Sequence, residues 1–517
     1  MANNVSKLDV SDVFGAAISG QAPSREFAPE RVALPANTAL RVGREYQPKK
    51  VDVEKLQSKK FLTTPKEYQW GGIQELCDNP CWLLAWDMGT GKTATIGYRL
   101  RLGIDAGNFR GPILVVCPLS VCGVWRDELK KHVGLDCVVV VGDKKERAEL
   151  LDKVGLGTIV VCNYETTRTE FDRLCKFKFD AVILDEGHRV KNVSTQLNKN
   201  LRKIAKCARF RWVLTGTPSP NGPLDIFGIM TFLNPAILGT ASKRVFEHRH
   251  AIYGREVSPG IRMIVGYRDL NILEGQVAQL CSRLTKFDVL KDLPPKTYQY
   301  VPVPLSRKVA KLYKQLREDA VAMLESRKGE GQLTAMNVLS ESLRLLQIVG
   351  GFVPDDDGVV HPLEPNAKLD YLCELIEDIP PQPIVIWAGF VHEVDAIVAR
   401  LGENKCAKYR GGMDYKQREA ELADFKAGGK PFFVASYAAR EGLTLVESCT
   451  TIFYSRTYNL IDWLQSQDRI HRIGQDLPVT VICLVGEDTL DEKVSSALAS
   501  KTDMQDLLLR SSVSELL

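Results

Sequence analysis

Between residues 80 and 215 the chain alternates short apolar runs, at 82–86, 113–116, 138–141, 158–162, 181–184 and 212–214, with helix-compatible stretches of crossover length. A strand apolar at every position is buried on both faces, which requires helices above and below a parallel sheet. The alternation lapses over 220–295, where Pro235, Gly239, Gly254, Pro259 and Gly260 punctuate helix-like and irregular sequence. It resumes with strand-like runs at 384–387, 432–435, 451–453 and 479–484. An α/β fold with two sheet-bearing lobes is therefore expected. Residues 304–349 read as two amphipathic helices split by a polar hinge at 327–332, and a loop carrying Asp355, Asp356 and Asp357 follows. The expected organisation is an amino-terminal arm over 1–55, lobe one over 56–240, a helical insertion and linker over 241–295, lobe two over 296–497 with its protrusion at about 304–350, and a carboxy-terminal helix or tail over 498–517.

Composition narrows the function. With 26% charged and 44% hydrophobic residues, collagen-like, mucin-like and coiled-coil readings are excluded. No apolar run approaches the roughly 18 residues of a bilayer helix, and the first 30 residues lack a basic-then-apolar signal pattern. No membrane partner and an intracellular location are expected. The 13 cysteines are odd in number and include no C-x-x-C pair, so they read as reduced thiols with no structural zinc. Lys and Arg number 68 against 64 Asp and Glu, so any track for a polyanion must be local. The first 60 residues carry ten basic against seven acidic side chains, with Pro23, Pro29, Pro35 and Pro48, and read as a flexible arm.

The strand at 82–86 runs into Asp87-Met88-Gly89-Thr90-Gly91-Lys92-Thr93 and then into a helix-compatible stretch. Two glycines let backbone N–H groups close around phosphate, Lys92 reaches the outer phosphates and Thr93 offers a hydroxyl to Mg²⁺. The full G-x-x-x-x-G-K-[ST] pattern is not met, because Trp86 stands at its first glycine. The run at 181–184 leads into Asp185-Glu186-Gly187-His188. Adjacent carboxylates at the end of a buried strand are costly unless they face a cation or polarise water. Asp185 is expected to hold Mg²⁺ through its water shell, and Glu186 to orient and deprotonate the attacking water. In the second lobe Arg469 and Arg472, three apart, are expected to share a helix face and to serve as arginine fingers.

Taken in order, these motifs with Tyr68-Gln69, Leu214-Thr215-Gly216-Thr217-Pro218 and His471-Arg472-Ile473-Gly474-Gln475 resemble the Swi/Snf-related DNA-translocase branch of superfamily-two helicase ATPases. The resemblance spans roughly residues 60–497. It implies two RecA-like lobes with parallel sheets, an ATP cleft between them, and helical protrusions inserted on the lobes. It implies ATP and Mg²⁺ as cofactors and Gln69 as reader of the adenine edge. Met88, Gly89, Thr90, Gly91, Lys92, Thr93 and Gly442 would bind nucleotide, and Thr93 and Asp185 the metal. Lys92, Asp185, Glu186, Arg469 and Arg472 would form the catalytic set. His188, Thr215, Gly216 and Thr217 would couple nucleotide state to lobe movement.

The resemblance also implies DNA backbone contacts at Pro118, Leu119, Ser120, Tyr164, Arg410 and Ser436; Trp125 reads as a packing residue. Phosphate contacts of this kind position a duplex and carry no sequence code. Two departures stand out: Ala388-Gly389 replaces the family's Ser-Gln, and Ala439-Arg440-Glu441 replaces its Ala-Gly-Gly. The following Gly442-Leu443-Thr444 is similar to annealing-type, fork-remodelling members. The expected function is an ATP-dependent duplex-DNA translocase that remodels DNA or protein–DNA complexes without sequence specificity. The partner is duplex or forked DNA, with a protein partner at the helical protrusions. A strand-separating or fork-remodelling helicase and an ATP-gated DNA-binding switch are the competing readings. The compact core, without chromatin-reading modules, points to a bacterial or viral-host cytoplasm, or to the nucleus in a eukaryote.

Overall fold

The computed structural model describes residues 60–498 apart from 221, 259–260, 291–292, 329–334, 356, 440–442, 458 and 496–497. The expected arm over 1–55, the tail beyond Leu498 and Gly442 lie outside the described residues. Two compact units result, one holding the chain up to 252 together with 266–292, the other 253–265 and 293 onward.

In the first unit α1 (Glu67–Asp78) precedes β1 (Cys81–Trp86), α2 (Lys92–Asp105), β2 (Ile113–Cys117), α3 (Cys122–Val133), β3 (Cys137–Val140), β4 (Ile159–Asn163), β5 (Ala181–Asp185) and β6 (Phe210–Leu214). β7 (Ala251–Ser258) and β8 (Ile261–Tyr267) form a separate two-stranded sheet that falls mostly in the other unit, and a short strand β9 (Cys281–Leu284) completes the first. The sheet order is β3-β4-β2-β5-β6-β1-β9, with every neighbouring pair parallel. Successive strand residues serve opposite faces: Trp82, Leu84 and Trp86 pack in one hydrophobic cluster with Ile96 and Trp125, while Leu83 and Ala85 pack in the other with Phe227 and Met230. Both clusters are needed, which is why β1, β2 and β5 are apolar throughout.

The six apolar runs of the first lobe all form strands. The stretch 241–295, expected as helical insertion and linker, holds helices at Lys243–His250 and Leu270–Val277 and adds strands that were not expected: the β7–β8 hairpin and then β9, which joins the first sheet as an edge partner of β1. Cys281-Ser282-Arg283-Leu284 is too short and polar to announce a strand, and its extension comes from pairing Cys281 through Leu284 with Leu83 through Trp86.

The second unit contains β10 (Lys296–Val303), α4 (Arg307–Lys328), α5 (Ala335–Val349), β11 (Phe352–Pro354), β12 (Val360–Pro362), α6 (Ala367–Asp378), β13 (Ile384–Ala388), α7 (Val391–Leu401), β14 (Cys406–Tyr409), β15 (Phe432–Ser436), β16 (Thr450–Phe453), α8 (Leu460–Gln467) and β17 (Val479–Gly486). Its sheet order is β10-β17-β16-β13-β15-β14, again parallel throughout. The expected amphipathic pair is α4 and α5, and the acidic loop joins the antiparallel β11–β12 hairpin. β10 and β14 were not evident as apolar runs, since β10 is an edge strand with most side chains exposed. Lys368 on α6 forms a fully buried ion pair with Asp491; removing either partner would strand the other charge at about 3–5 kcal/mol. Among the described residues no helix is long and apolar enough to cross a membrane.

Candidate functional site

The phosphate loop leaves the carboxyl end of β1 and enters α2 at Lys92. Gly89 and Gly91 both have φ of +76°, a left-handed conformation that glycine adopts without strain. A side chain at Gly91 would also place its Cβ 2.7 Å from Nε2 of Gln69. Gln69 is buried rather than solvent-facing: its Nε2 donates to Gly91 O at 3.1 Å and to Thr95 Oγ1 at 3.2 Å, and its Oε1 accepts from Lys66 N at 2.8 Å. Tyr68 Oη donates to Thr90 O at 2.9 Å, and Thr90 Oγ1 to Asp87 O at 2.7 Å. Lys92 Nζ donates to Trp86 O at 2.8 Å and Asp87 O at 2.9 Å, so the loop's carbonyls ring the ammonium.

Two strands away across β6, Asp185 ends β5. Its Oδ2 accepts from Trp125 Nε1 at 2.8 Å and its Oδ1 from Glu186 N at 2.9 Å. Burial, and then the neighbouring Glu186 carboxylate, push its pKa up to about 6 against the lowering effect of the Trp125 bond. Glu186 has φ of +53°, an uncommon left-handed position for a side-chain-bearing residue, and its Oε2 lies 3.4 Å from His188 Nδ1. Gly187 follows because a Cβ there would sit 2.2 Å from Val213 Cγ1.

His188 Nδ1 also lies 3.4 Å from Thr215 Oγ1, which accepts from Thr217 N at 3.1 Å. Gly216 packs on the phosphate loop, its missing Cβ 3.2 Å from Met88 Cγ and 3.4 Å from Trp86 O. The carboxylates, the Thr215-Gly216-Thr217 turn and the phosphate loop thus meet at the carboxyl ends of β5, β6 and β1. Asp87 is fixed from the same sheet's edge by Arg283 and by Lys286 N. Burial alone would raise the Asp87 carboxyl, but these partners outweigh it and hold the group below the usual carboxylate range.

The donor set fits a nucleoside triphosphate with Mg²⁺. Thr93 and Asp185 offer hard oxygens, and Mg²⁺ takes one or two carboxylates with phosphate and water rather than a protein cage. Left-handed Gly89 and Gly91 bare the loop backbone to a phosphate, and α2 begins there with Lys92 in its first turn.

In the second unit α8 stops at Gln467, so Arg469 and Arg472 lie beyond the helix rather than on one helical face. Arg469 N donates to Ser466 O rather than to the helical partner at 465, and the carbonyl of Arg469 is taken by Leu445 N at 2.9 Å. The two guanidiniums still converge: Nη1 of each donates to Leu443 O at 3.1 Å, and Arg469 Nε donates to Gln465 O at 3.0 Å.

The residues expected at DNA divide by exposure. Leu119 is 58% exposed and Ser120 partly so, on the turn between β2 and α3, with Pro118 buried beneath. Arg410 pairs with Asp395 at 2.9 Å, and Ser436 is buried at the end of β15. Tyr164, expected on the DNA backbone, is interior instead: its hydroxyl donates to Asp185 O at 2.6 Å and its ring lies beneath Arg189. Gly389 N donates to Ser455 Oγ at 2.6 Å, so the family-divergent Ala388-Gly389 turn binds internally.

Trp125 packs in the core as the sequence suggested, but sequence reading missed its bond to Asp185 and missed Arg283 altogether. Trp125 is a core residue whose indole N–H ends on the Asp185 carboxylate, and a buried indole requires an acceptor. Arg283 carried no motif.

Comparison with known proteins gives matches over most of the chain. Residues 50–350 match the SNF2-related domain and residues 367–474 the helicase conserved C-terminal domain. A mouse protein, chromodomain-helicase-DNA-binding protein 1-like, is 27% identical over 463 residues, covering 86% of this chain and 50% of that one. An uncharacterized ATP-dependent helicase of Mycoplasma genitalium is 26% identical over 456 residues, covering 86% of this chain and 41% of the helicase. The chain spans about half or less of the length of these relatives. The solved SWI2/SNF2 ATPase core of Sulfolobus solfataricus in complex with dsDNA has 26% identity and a TM-score of 0.41, covering 87% of this chain and 94% of that one.

Proposed function

Because the chain belongs to the SNF2-related family of helicase-type ATPases, we propose that it is an ATP-driven translocase on duplex DNA. One observation carries the ATPase part: the glycine-shaped phosphate loop, the Asp185–Glu186 pair and the Thr215-Gly216-Thr217 turn lie at the ends of neighbouring strands β1, β5 and β6. In α/β sheets the carboxyl ends of the strands are where ligands bind.

In this reading Gln69 faces the adenine edge, Met88 through Thr93 cradle the phosphates, and Thr93 and Asp185 hold Mg²⁺. Bound Mg²⁺ supplies positive charge against the phosphate oxygens. Glu186 accepts the proton of the attacking water, and the left-handed backbone at that residue, φ +53°, sets the direction in which its carboxylate leaves the chain. Arg469 and Arg472 contribute positive charge as the arginine-finger pair once they leave the Leu443 carbonyl. His188, Thr215, Gly216 and Thr217 relay the state of the site.

Duplex DNA is the proposed partner, a reading supported by the DNA-binding helicase name of the mouse relative. Leu119 and Ser120 supply the first lobe's contact, and Arg410 exchanges Asp395 for phosphate in the second. Contacts of this kind predict salt-sensitive, sequence-independent binding. Displacement of a third strand from a DNA triplex tests movement directly. ATP-dependent release from an intact duplex track supports translocation. Release only from tracks with a free single strand supports the strand-separating reading and contradicts this one.

A further inference from the structure

Two segments expected to touch DNA end, in the interior, on one residue of the ATPase centre. The first is the turn Leu119–Val121, which opens directly into α3; one turn into that helix, Trp125 is wholly buried and its Nε1 donates to Asp185 Oδ2 at 2.8 Å. The second follows β4: Tyr164 passes across the end of β2, which separates β4 from β5, and its hydroxyl donates to Asp185 O at 2.6 Å. Asn163 Oδ1 binds Thr166 N at 2.7 Å and Thr167 Oγ1 binds Tyr164 O at 2.7 Å, which stiffens the turn around Tyr164. Asp185 Oδ1 is held separately by Glu186 N.

A carboxylate has about two acceptor sites on each oxygen. Trp125 takes one on Oδ2 and Glu186 N takes one on Oδ1, so the plane of the carboxylate is set while one site on each oxygen is left. Without the indole, the bond from Glu186 N to Oδ1 is, among the described residues, the one remaining hold on the Asp185 carboxylate. Without the phenol, the carbonyl that ends β5 loses its anchor. Side chains that orient a metal ligand affect metal affinity or activity by about 10–100-fold.

We propose that Trp125 and Tyr164 are positioning residues that aim the Asp185 carboxylate at Mg²⁺ and transmit DNA engagement at the 119–121 turn and the 163–165 segment to the ATPase centre. The proposal rests on the translocase reading for its DNA arm, whereas its metal arm needs only nucleotide binding. A shift of the turn moves the first turn of α3 with it, and Trp125 converts that shift into a reorientation of Asp185. The same residue therefore receives both segments, and DNA would not need to touch the nucleotide to alter how the Asp185 carboxylate is presented to Mg²⁺.

The test uses the full chain, Trp125→Phe and Tyr164→Phe. The first keeps an aromatic ring and loses the indole donor; the second removes one oxygen, so it decides the matter if Trp125→Phe fails to fold. ADP affinity is measured by calorimetry with and without Mg²⁺, and ATP hydrolysis with and without duplex DNA. Trp125→Phe is expected to reduce the Mg²⁺-dependent gain in ADP affinity about tenfold while leaving metal-free ADP binding unchanged. Both variants are expected to bind duplex DNA as the wild type does and to lose most of the DNA stimulation. Folded variants that keep both the wild-type Mg²⁺ gain and the wild-type stimulation overturn the proposal. A wild-type chain that DNA does not stimulate contradicts the translocase reading instead, and the Mg²⁺ gain alone then decides the role of Trp125.

Discussion

Arg283 on the edge strand β9 holds Asp87, the first residue of the phosphate loop, with Nη2 2.8 Å from Oδ1, while its Nη1 donates to Ala85 O at 2.7 Å. One guanidinium thus clamps the end of β1 and the start of the loop, and it comes from the segment that follows the β7–β8 hairpin. The pair is partly buried, with side-chain exposures of 11% and 26%.

Arg283→Met should therefore cost the first unit about 2 kcal/mol, between the values for surface and buried pairs. The sign of the pH dependence follows from the lowered Asp87 pKa. The stabilisation is complete above the unfolded carboxyl value of about 3.9 and is lost as pH falls through the folded value. Thermal unfolding should show a wild-type advantage at pH 7 that shrinks below about pH 4.

Gly91→Ala should weaken nucleotide binding by at least about tenfold, because it adds a left-handed strain of about 1–2 kcal/mol to a clash with Gln69. Gly107 is the control: it has a similar φ of +64° and nothing within 4 Å of a Cβ. Gly107→Ala should carry the strain alone and leave ADP affinity unchanged. Equal ADP affinities for the two variants would remove the proposed contact between Gln69 and the loop from the binding site.

Glu274 is buried, neither carboxylate oxygen has a hydrogen-bond partner among the described residues, and burial pushes its pKa up to about 7. The folded chain keeps this proton when the unfolded chain has released it. Stability from this group falls as pH rises from about 4.5 to about 7 and is level above, a difference on the order of 3 kcal/mol. Glu274→Gln should raise the unfolding temperature at pH 8 and have little effect at pH 4.

Arg472→Ala should lower turnover by roughly a thousandfold, the scale of a lost arginine finger, while ATP affinity changes little. Single-turnover hydrolysis alongside nucleotide titration separates the two effects. A variant that loses ATP binding and keeps the single-turnover rate would assign Arg472 to the ground state.

The two sheets and the catalytic motifs were legible in the sequence for one physical reason: strands buried on both faces must be apolar throughout, and phosphate and metal sites require glycine, lysine and carboxylates at strand ends. What was hidden depends on tertiary pairing. Cys281-Ser282-Arg283-Leu284 is a strand only because β1 offers an edge. Tyr164 looked like a surface contact because sequence cannot tell which way a residue after a strand turns. Arg469 and Arg472 looked helical from their spacing, yet Arg469 N turns to Ser466 O and its own Nε donates to Gln465 O, so the helix ends at Gln467.

The central claim is that one phosphate loop and one carboxylate pair drive a nucleic-acid motor. Steady-state ATP hydrolysis tests it most directly, measured without nucleic acid and with single-stranded DNA, duplex DNA, forked DNA and RNA, against Lys92→Ala and Glu186→Gln. The account predicts hydrolysis stimulated most by duplex DNA and abolished in both folded variants. Normal hydrolysis by either variant, or a wild-type rate indifferent to every nucleic acid, would contradict it.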